Sequence, residues 1–458
     1  MKFRTTLYLF IAFVILLAFF LLSESVFKKE KKEDKLVDRS SEEVTEIILT
    51  RGEETIHFVK EDEDNWLIKE PLTAAADRYE VNRLADDFSS LKLERVVEEA
   101  PNDLKKYGLP NKEITLKFKD KTEVKIEIGE ENPLDNTLFA KRSDEERVVL
   151  LPSFIKTALD KKLIDFRKKD IFSLATDEVK EIKVEGPQTK WEAEKKDDEW
   201  WLTSPLQSLA EASQISNILY SLSSLKAKEF LSEEKNEEKL RRYGLANPQY
   251  KIKLQLPQKE QELTVYLTKQ DDTLYATSTA TSKIISAEDT ITSDLDKKIE
   301  ELREKEIAVF YTWEVKGLKL KTKELDISLQ KNDANDWLFE PSGKKADNEK
   351  IENFIRQVES LETDSFIDPP FKLKEYGLEQ PQTEFTLLVE EGENKTKEIT
   401  IQVGQIQEKD GEKTAYLRNT RLNYLFQVKA DFLEKLPPQK EDWQPKSSSA
   451  SGEKEGEK

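Results

Sequence analysis

One pattern is written three times along this chain, and that repetition limits what it can fold into more than any other feature. Trp66-Leu67-Ile68-Lys69-Glu70-Pro71, Trp200-Trp201-Leu202-Thr203-Ser204-Pro205 and Trp337-Leu338-Phe339-Glu340-Pro341 each lead, further on, to Tyr-Gly-Leu at Tyr107, Tyr243 and Tyr376. The period is about 135 residues, far longer than a solenoid repeat, so each copy has enough chain to bury a core of its own. The chain therefore reads as three related domains in series.

Each copy opens on a β-type alternation: Val44, Ile47, Leu49, then Val179, Ile182, Val184, then Val315, Leu318, Leu320. The next strand and the Trp strand follow across acidic turns such as Glu61-Asp62-Glu63-Asp64-Asn65, which predicts a small antiparallel meander. Six residues after each Pro stands an acidic residue, Asp77, Glu211 or Asp347. From it run apolar positions at helical spacing: Val81, Leu84, Phe88, Leu91; Ile215, Ile218, Leu222, Leu225; and Ile351, Phe354, Val358, Leu361. These carboxylates read as helix caps that also favour the positive end of the helix dipole, with Asp77 and Glu80 spaced as a capping box.

In Tyr-Gly-Leu, Gly follows a short charged helical turn and Pro follows soon after, the signature of a left-handed C-cap and a stop, read here as a structural hinge. Further alternating strands come next (Ile114, Leu116, Phe118; Ile252, Leu254, Leu256; Phe385, Leu387, Val389), and then closing helices over 154–163, 291–302 and 431–436. The expected fold class is α+β, with three tandem repeats. Each repeat has an antiparallel β-meander, an amphipathic helix, a second β-sheet and a closing helix. The boundaries are 1–25 for an N-terminal transmembrane anchor, 26–41 for a charged linker, 42–177, 178–313 and 314–436 for the repeats, and 437–458 for a disordered tail.

The anchor rests on Lys2 and Arg4 followed by an uninterrupted apolar run from Leu7 to Leu22. With its flanks, about 19 residues at ~1.5 Å rise span roughly 28 Å, close to the hydrocarbon core of a bilayer. A cleaved signal peptide competes, since Ser23-Glu24-Ser25 is a weak small-x-small site. No Cys exists to carry a lipid. Lys28 to Lys35 puts positive charge beyond the span as well as before it, so flanking charge does not set orientation. Long domains translocate with little regard to such charge, and a chain with no Cys suits an oxidising compartment. The large C-terminal part is therefore read as extracytoplasmic, behind a single pass through the inner (cytoplasmic) membrane.

Composition mainly excludes. There are 74 Lys+Arg against 93 Asp+Glu, a net charge of −19, with the cations interspersed among carboxylates, so nucleic acid is not an expected partner. A Cys nucleophile is impossible, and any Ser-His-Asp triad would need the single histidine, His57, read as an exposed strand residue. Without Cys or a second His, zinc sites of the usual kind are excluded, and the acidic turns lack the calcium-loop pattern. The scattered glycines build no phosphate loop. Trp66, Trp200, Trp201 and Trp337 could stack sugars if exposed, but their recurrence beside the helix stripe favours core packing. No catalytic, cofactor-binding or metal residue is assigned, and the chain is not expected to be an enzyme.

The Trp-to-Pro strand, the acidic cap with its helix stripe and the Tyr-Gly-Leu motif, recurring in order, resemble the bacterial family catalogued as Domain of Unknown Function 4340, over roughly 42–436. The second copy departs from the pattern, with Leu267-Thr268 where the others have Ile128-Gly129 and Val403-Gly404. The resemblance implies an accessory role beside ABC-type export permeases and carries no family site residues. The expected function is thus a non-catalytic binding or scaffold component of an envelope complex, with an ABC-type permease as partner. Two alternatives are a cell-wall polysaccharide-binding or carboxylate-dependent hydrolytic module and a purely structural spacer.

Overall fold

A computed structural model of the chain describes residues 34–257, 262–392, 395–409, 411–434 and 439–445. The chain divides into two compact units, one ending at Lys169 and one beginning at Asp170. The first holds the first repeat; the second holds the other two. The apolar run expected to form the membrane anchor lies outside the described residues, and among those residues no helix is long and apolar enough to cross a membrane.

In the first unit nine antiparallel strands form one sheet. They are β1 (Val44–Arg51), β2 (Glu54–Lys60), β3 (Trp66–Glu70), β4 (Ala74–Ala75), β5 (Arg95–Glu98), β6 (Lys112–Phe118), β7 (Glu123–Glu131), β8 (Leu138–Arg142) and β9 (Val148–Leu151). The order is β4-β3-β2-β1-β6-β7-β8-β9-β5. The meander and the later strands, expected as two sheets, are thus a single one, joined where β1 pairs with β6 from Arg51↔Lys112 to Val44↔Phe118. β1 is long and alternates, so it offers hydrogen bonds on both edges while turning one apolar face inward. The same order recurs in the second repeat, and an eight-stranded version forms the third, so the α+β tandem repeat stands.

The helix Arg78–Ser89 covers the apolar face of the first sheet, burying Val81, Leu84, Ala85 and Phe88 against Ile47, Leu49, Ile114 and Leu116. Each large side chain so buried contributes about 1.5–3 kcal/mol. Asp77 caps this helix by accepting hydrogen bonds from the backbone N–H groups of Tyr79 and Glu80. Glu211 and Asp347 cap Ala212–Ser223 and Asn348–Glu359 in the same way. The reciprocal half of the capping box does not form. Glu80 turns to Lys161, and the N–H of Asp77 is given to the carbonyl of Phe166. Glu211 and Asp347 donate correspondingly to Leu302 and Trp443.

That last bond corrects one boundary. Residues Lys440–Trp443 form a 3-10 turn, and Trp443 is wholly buried in the third core, edge-on to Phe354. The third repeat thus extends beyond 436. The charged linker is corrected as well, because Leu36 and Val37 are buried, and the Leu36 N–H bonds the Leu91 carbonyl at the end of the helix. Ile307 repeats this on Leu361. Each repeat therefore starts at a β-bridge to the segment after its helix, at Lys35, Asp170 and Glu306. The closing helices are shorter than expected: 154–163 contains Phe154–Leu159 with a separate turn at Leu163–Phe166, and 291–302 contains Thr292–Leu295 with a 3-10 turn at Ile299–Glu301.

Tyr-Gly-Leu is a clasp, not a hinge. Gly108 caps its turn at φ 66°, which L side chains rarely adopt. The loop lies against a second glycine, Gly129, so closely that an added Cβ there would fall 2.1 Å from the Tyr107 carbonyl oxygen. Gly404 stands in the same relation to Tyr376. In the second repeat Thr268 takes this place and reaches the Gly244 carbonyl with its hydroxyl at 3.0 Å, which accounts for the departure seen there in sequence.

Candidate functional site

The residues weighed for chemistry in the sequence serve packing. Trp66, Trp200 and Trp337 are buried in their cores, and Trp201 packs against the core of the third repeat. His57 is not exposed as expected but half-buried, with Nε2 2.9 Å from Glu46 Oε2. Lys117 donates to the same oxygen, and these two partners, Lys117 first, hold the Glu46 carboxyl below the usual carboxylate range. Asp77, Glu211 and Asp347 are engaged as caps.

One surface stands apart. In every repeat a 3-10 turn feeds the first strand: Ser41–Glu43, Thr176–Glu178 and Thr312–Glu314. The alternate, outward positions along this approach are Asp38, Ser40 and Glu42 in the first repeat and Ser173, Ala175 and Asp177 in the second, all exposed. In the third they are Val309, Tyr311 and Trp313, which are 45%, 54% and 66% exposed. The backbone alternates here, so Phe310 points inward and is buried while its neighbours point out. Tyr311 and Trp313 lie face to face, with ring centroids 4.3 Å apart and planes 8° from parallel. The same turn folds in two other copies with small or acidic residues, so the fold does not require the aromatic pair. Exposing two large rings costs hydration free energy, which makes them a candidate recognition surface.

The turn is held by the Tyr311 N–H donating to Glu314 Oε2 at 3.2 Å and by the Thr312 hydroxyl donating to Glu359 at the end of the helix. Glu359 belongs to a group of carboxylates. Burial and then the charges of Glu211, Glu362 and Glu359 push the Glu306 carboxyl up. Next to it Glu304, 7% exposed, is pushed up to about 7 by burial together with Glu211 and Glu306, although the Glu306 N–H donates to its Oε1 at 2.8 Å. The nearby cations are engaged elsewhere: Arg303 with Asp368, Arg356 with Glu352 and Lys316 with Glu390. Among the described residues no group of His, Cys, Asp or Glu is arranged to hold a metal ion.

Sequence reasoning passed over this pair because it treated the Trp residues that recur. A position-by-position comparison of the copies would have found it, since Tyr311 and Trp313 align with residues that are neither aromatic nor apolar enough for a core.

The family described as a domain of unknown function (DUF4340) matches residues 66–239 and again 200–374. No curated protein matches the chain. Among solved structures, the DNA polymerase III subunit beta from Pseudomonas aeruginosa is 10% identical, with 88% of this chain and 93% of that chain covered and a TM-score of 0.17. The DNA polymerase sliding clamp from the same organism, with ligand, is 9% identical, with 86% and 93% covered and a TM-score of 0.15. Likeness at this level carries no argument about fold or function.

Proposed function

The chain belongs to the DUF4340 family, and from that premise we propose that it is a membrane-anchored, extracytoplasmic repeat protein serving as a non-catalytic binding component of an envelope complex, accessory to an ABC-type transporter. The observation that carries the reading is the divergence of one turn among three copies of one fold. Copies one and two present polar or small residues there; copy three presents a stacked Tyr311–Trp313 pair. Two repeats free of this burden and one that displays it are what a scaffold with a dedicated docking module would have. The N-terminal apolar run supplies the anchor, and the −19 net charge keeps the large remainder soluble.

The test is purification of the tagged full-length protein from its native membrane in mild detergent, followed by mass spectrometry of the retained proteins. A permease and its ATPase are expected, and both are expected to be lost from the Y311A/W313A variant. Recovery of neither, with the protein retained on isolated cell wall, would replace this reading by polysaccharide binding.

A further inference from the structure

We propose that the Tyr311–Trp313 surface docks a cationic segment of its protein partner, whose Lys or Arg side chains lie over the aromatic rings and reach the carboxylates of Glu314, Glu359, Glu306 and Glu362. This rests on the binding role above and names the chemistry of what is bound. The two rings offer outward π faces, which attract guanidinium and ammonium groups, Arg most of all because its plane can stack. The carboxylates are linked to the rings through the turn itself, since Thr312 between them bonds Glu359 and Tyr311 bonds Glu314. Glu306 and Glu362 face each other across a β-bridge at the start of the repeat.

What makes this acidic fringe informative is that, among the described residues, no Lys or Arg forms an ion pair with Glu306, Glu314, Glu359 or Glu362. The charges that act on Glu306 are those of Glu211, Glu362 and Glu359, all of one sign. Arg356, one turn before Glu359 on the same helix, is turned to Glu352 and Asn353. Arg303 is committed to Asp368, and Lys305 is exposed beside Glu306 in sequence. A cation arriving from outside relieves this repulsion, whereas a neutral sugar leaves it in place. An anionic lipid surface adds to it. The chain's net charge of −19 acts in the same direction, steering cations towards the surface and slowing the approach of anions.

The experiment uses the full-length protein in detergent and a fluorescein-labelled peptide of six Arg-Gly repeats, with binding read by anisotropy at low and high salt. Saturable binding is expected, weakened about tenfold or more in Y311A/W313A and again in E359Q/E362Q, and suppressed by salt. The control is Y79A/Y220A, which removes exposed tyrosines elsewhere and is expected to bind as the parent does. Circular dichroism melting of each variant shows that the fold is retained. Peptide binding that Y311A/W313A leaves unchanged would overturn the proposal. So would Trp313-dependent binding of an N-acetylglucosamine hexamer or of phosphatidylglycerol vesicles in place of the peptide. If the peptide fails while the membrane partner still co-purifies in a Tyr311/Trp313-dependent way, the cationic assignment falls and the binding role stands. If co-purification ignores the variant while peptide binding depends on it, the role falls and the surface chemistry stands.

Discussion

Arg303 and Asp368, 65 residues apart, form a two-pronged ion pair in which Nη1 and Nη2 donate to the two carboxylate oxygens at 2.9 and 2.8 Å. Arg303 closes the second repeat and Asp368 follows the helix of the third, so the pair ties two copies of the fold together. The guanidinium also lies 3.7 Å from the Phe366 ring and 4.7 Å from the Tyr424 ring, and Nε donates to Ser208. Tyr424 in turn accepts the Leu209 N–H, and Lys397 and Arg421 converge on Glu199.

Asp368→Ala removes the counter-charge and leaves a 2% exposed guanidinium over two rings. Breaking a fully buried pair costs about 3–5 kcal/mol, but Asp368 is 39% exposed, so a loss of about 2 kcal/mol is expected in urea denaturation. Arg303→Met, which keeps the apolar stem, is expected to cost less. A silent D368A would show that the other contacts hold this junction.

The clasp makes an asymmetric prediction. Gly129→Ala puts a methyl group against the Tyr107 carbonyl and is expected to destabilise the first unit by about 1–3 kcal/mol. Thr268→Gly loses two hydrogen bonds, one donated to the Gly244 carbonyl and one accepted from the Gln249 N–H, and some backbone restriction, about 1–2 kcal/mol. A Gly129→Ala variant that unfolds thermally at the same temperature as the parent would refute the close approach.

Trp443 is expected to behave as a core residue despite its place near the C-terminus. Trp443→Ala is expected to cost about 3–5 kcal/mol, and a stop after Leu436 at least as much, because Asp347 would also lose the carbonyl that receives its N–H. Limited proteolysis that leaves the third repeat equally resistant in both variants would count against this.

Glu304 gives a pH dependence with a definite sign. Its folded-state pKa is raised to about 7 from an ordinary 4.5, so the folded chain holds this proton more tightly than the unfolded chain does. The associated stability is present below pH 4.5 and is lost as pH rises towards 7. Ionised, the buried carboxylate costs on the order of a few kcal/mol, which Glu304→Gln removes. Urea denaturation at several values across that window is therefore expected to show E304Q gaining on the parent as pH rises. A constant difference would place the proton elsewhere.

Much of this architecture is legible in the sequence. Tripling, strand alternation, helix stripes and acidic caps are local or periodic signals, and each element they marked is present. What was misread depended on partners far away in sequence. β1 and β6 merge two expected sheets because both edges of β1 need hydrogen-bond partners, a requirement that periodicity does not reveal. His57 lost its exposed assignment to Glu46, which lies diagonally across the β1–β2 ladder, two residues from Ile48, the residue paired with His57.

The sequence by itself determined the number of repeats, their length, the faces their helices and strands bury and the net acidic charge of the chain, since period and composition are properties of the chain alone. Only the tertiary structure decided that Leu36 and Trp443 belong to cores, that Arg303 joins two repeats and that Tyr311 stacks on Trp313 in the open. Burial and charge pairing are set by which distant segments meet, and a local pattern cannot report on a neighbour it does not contain.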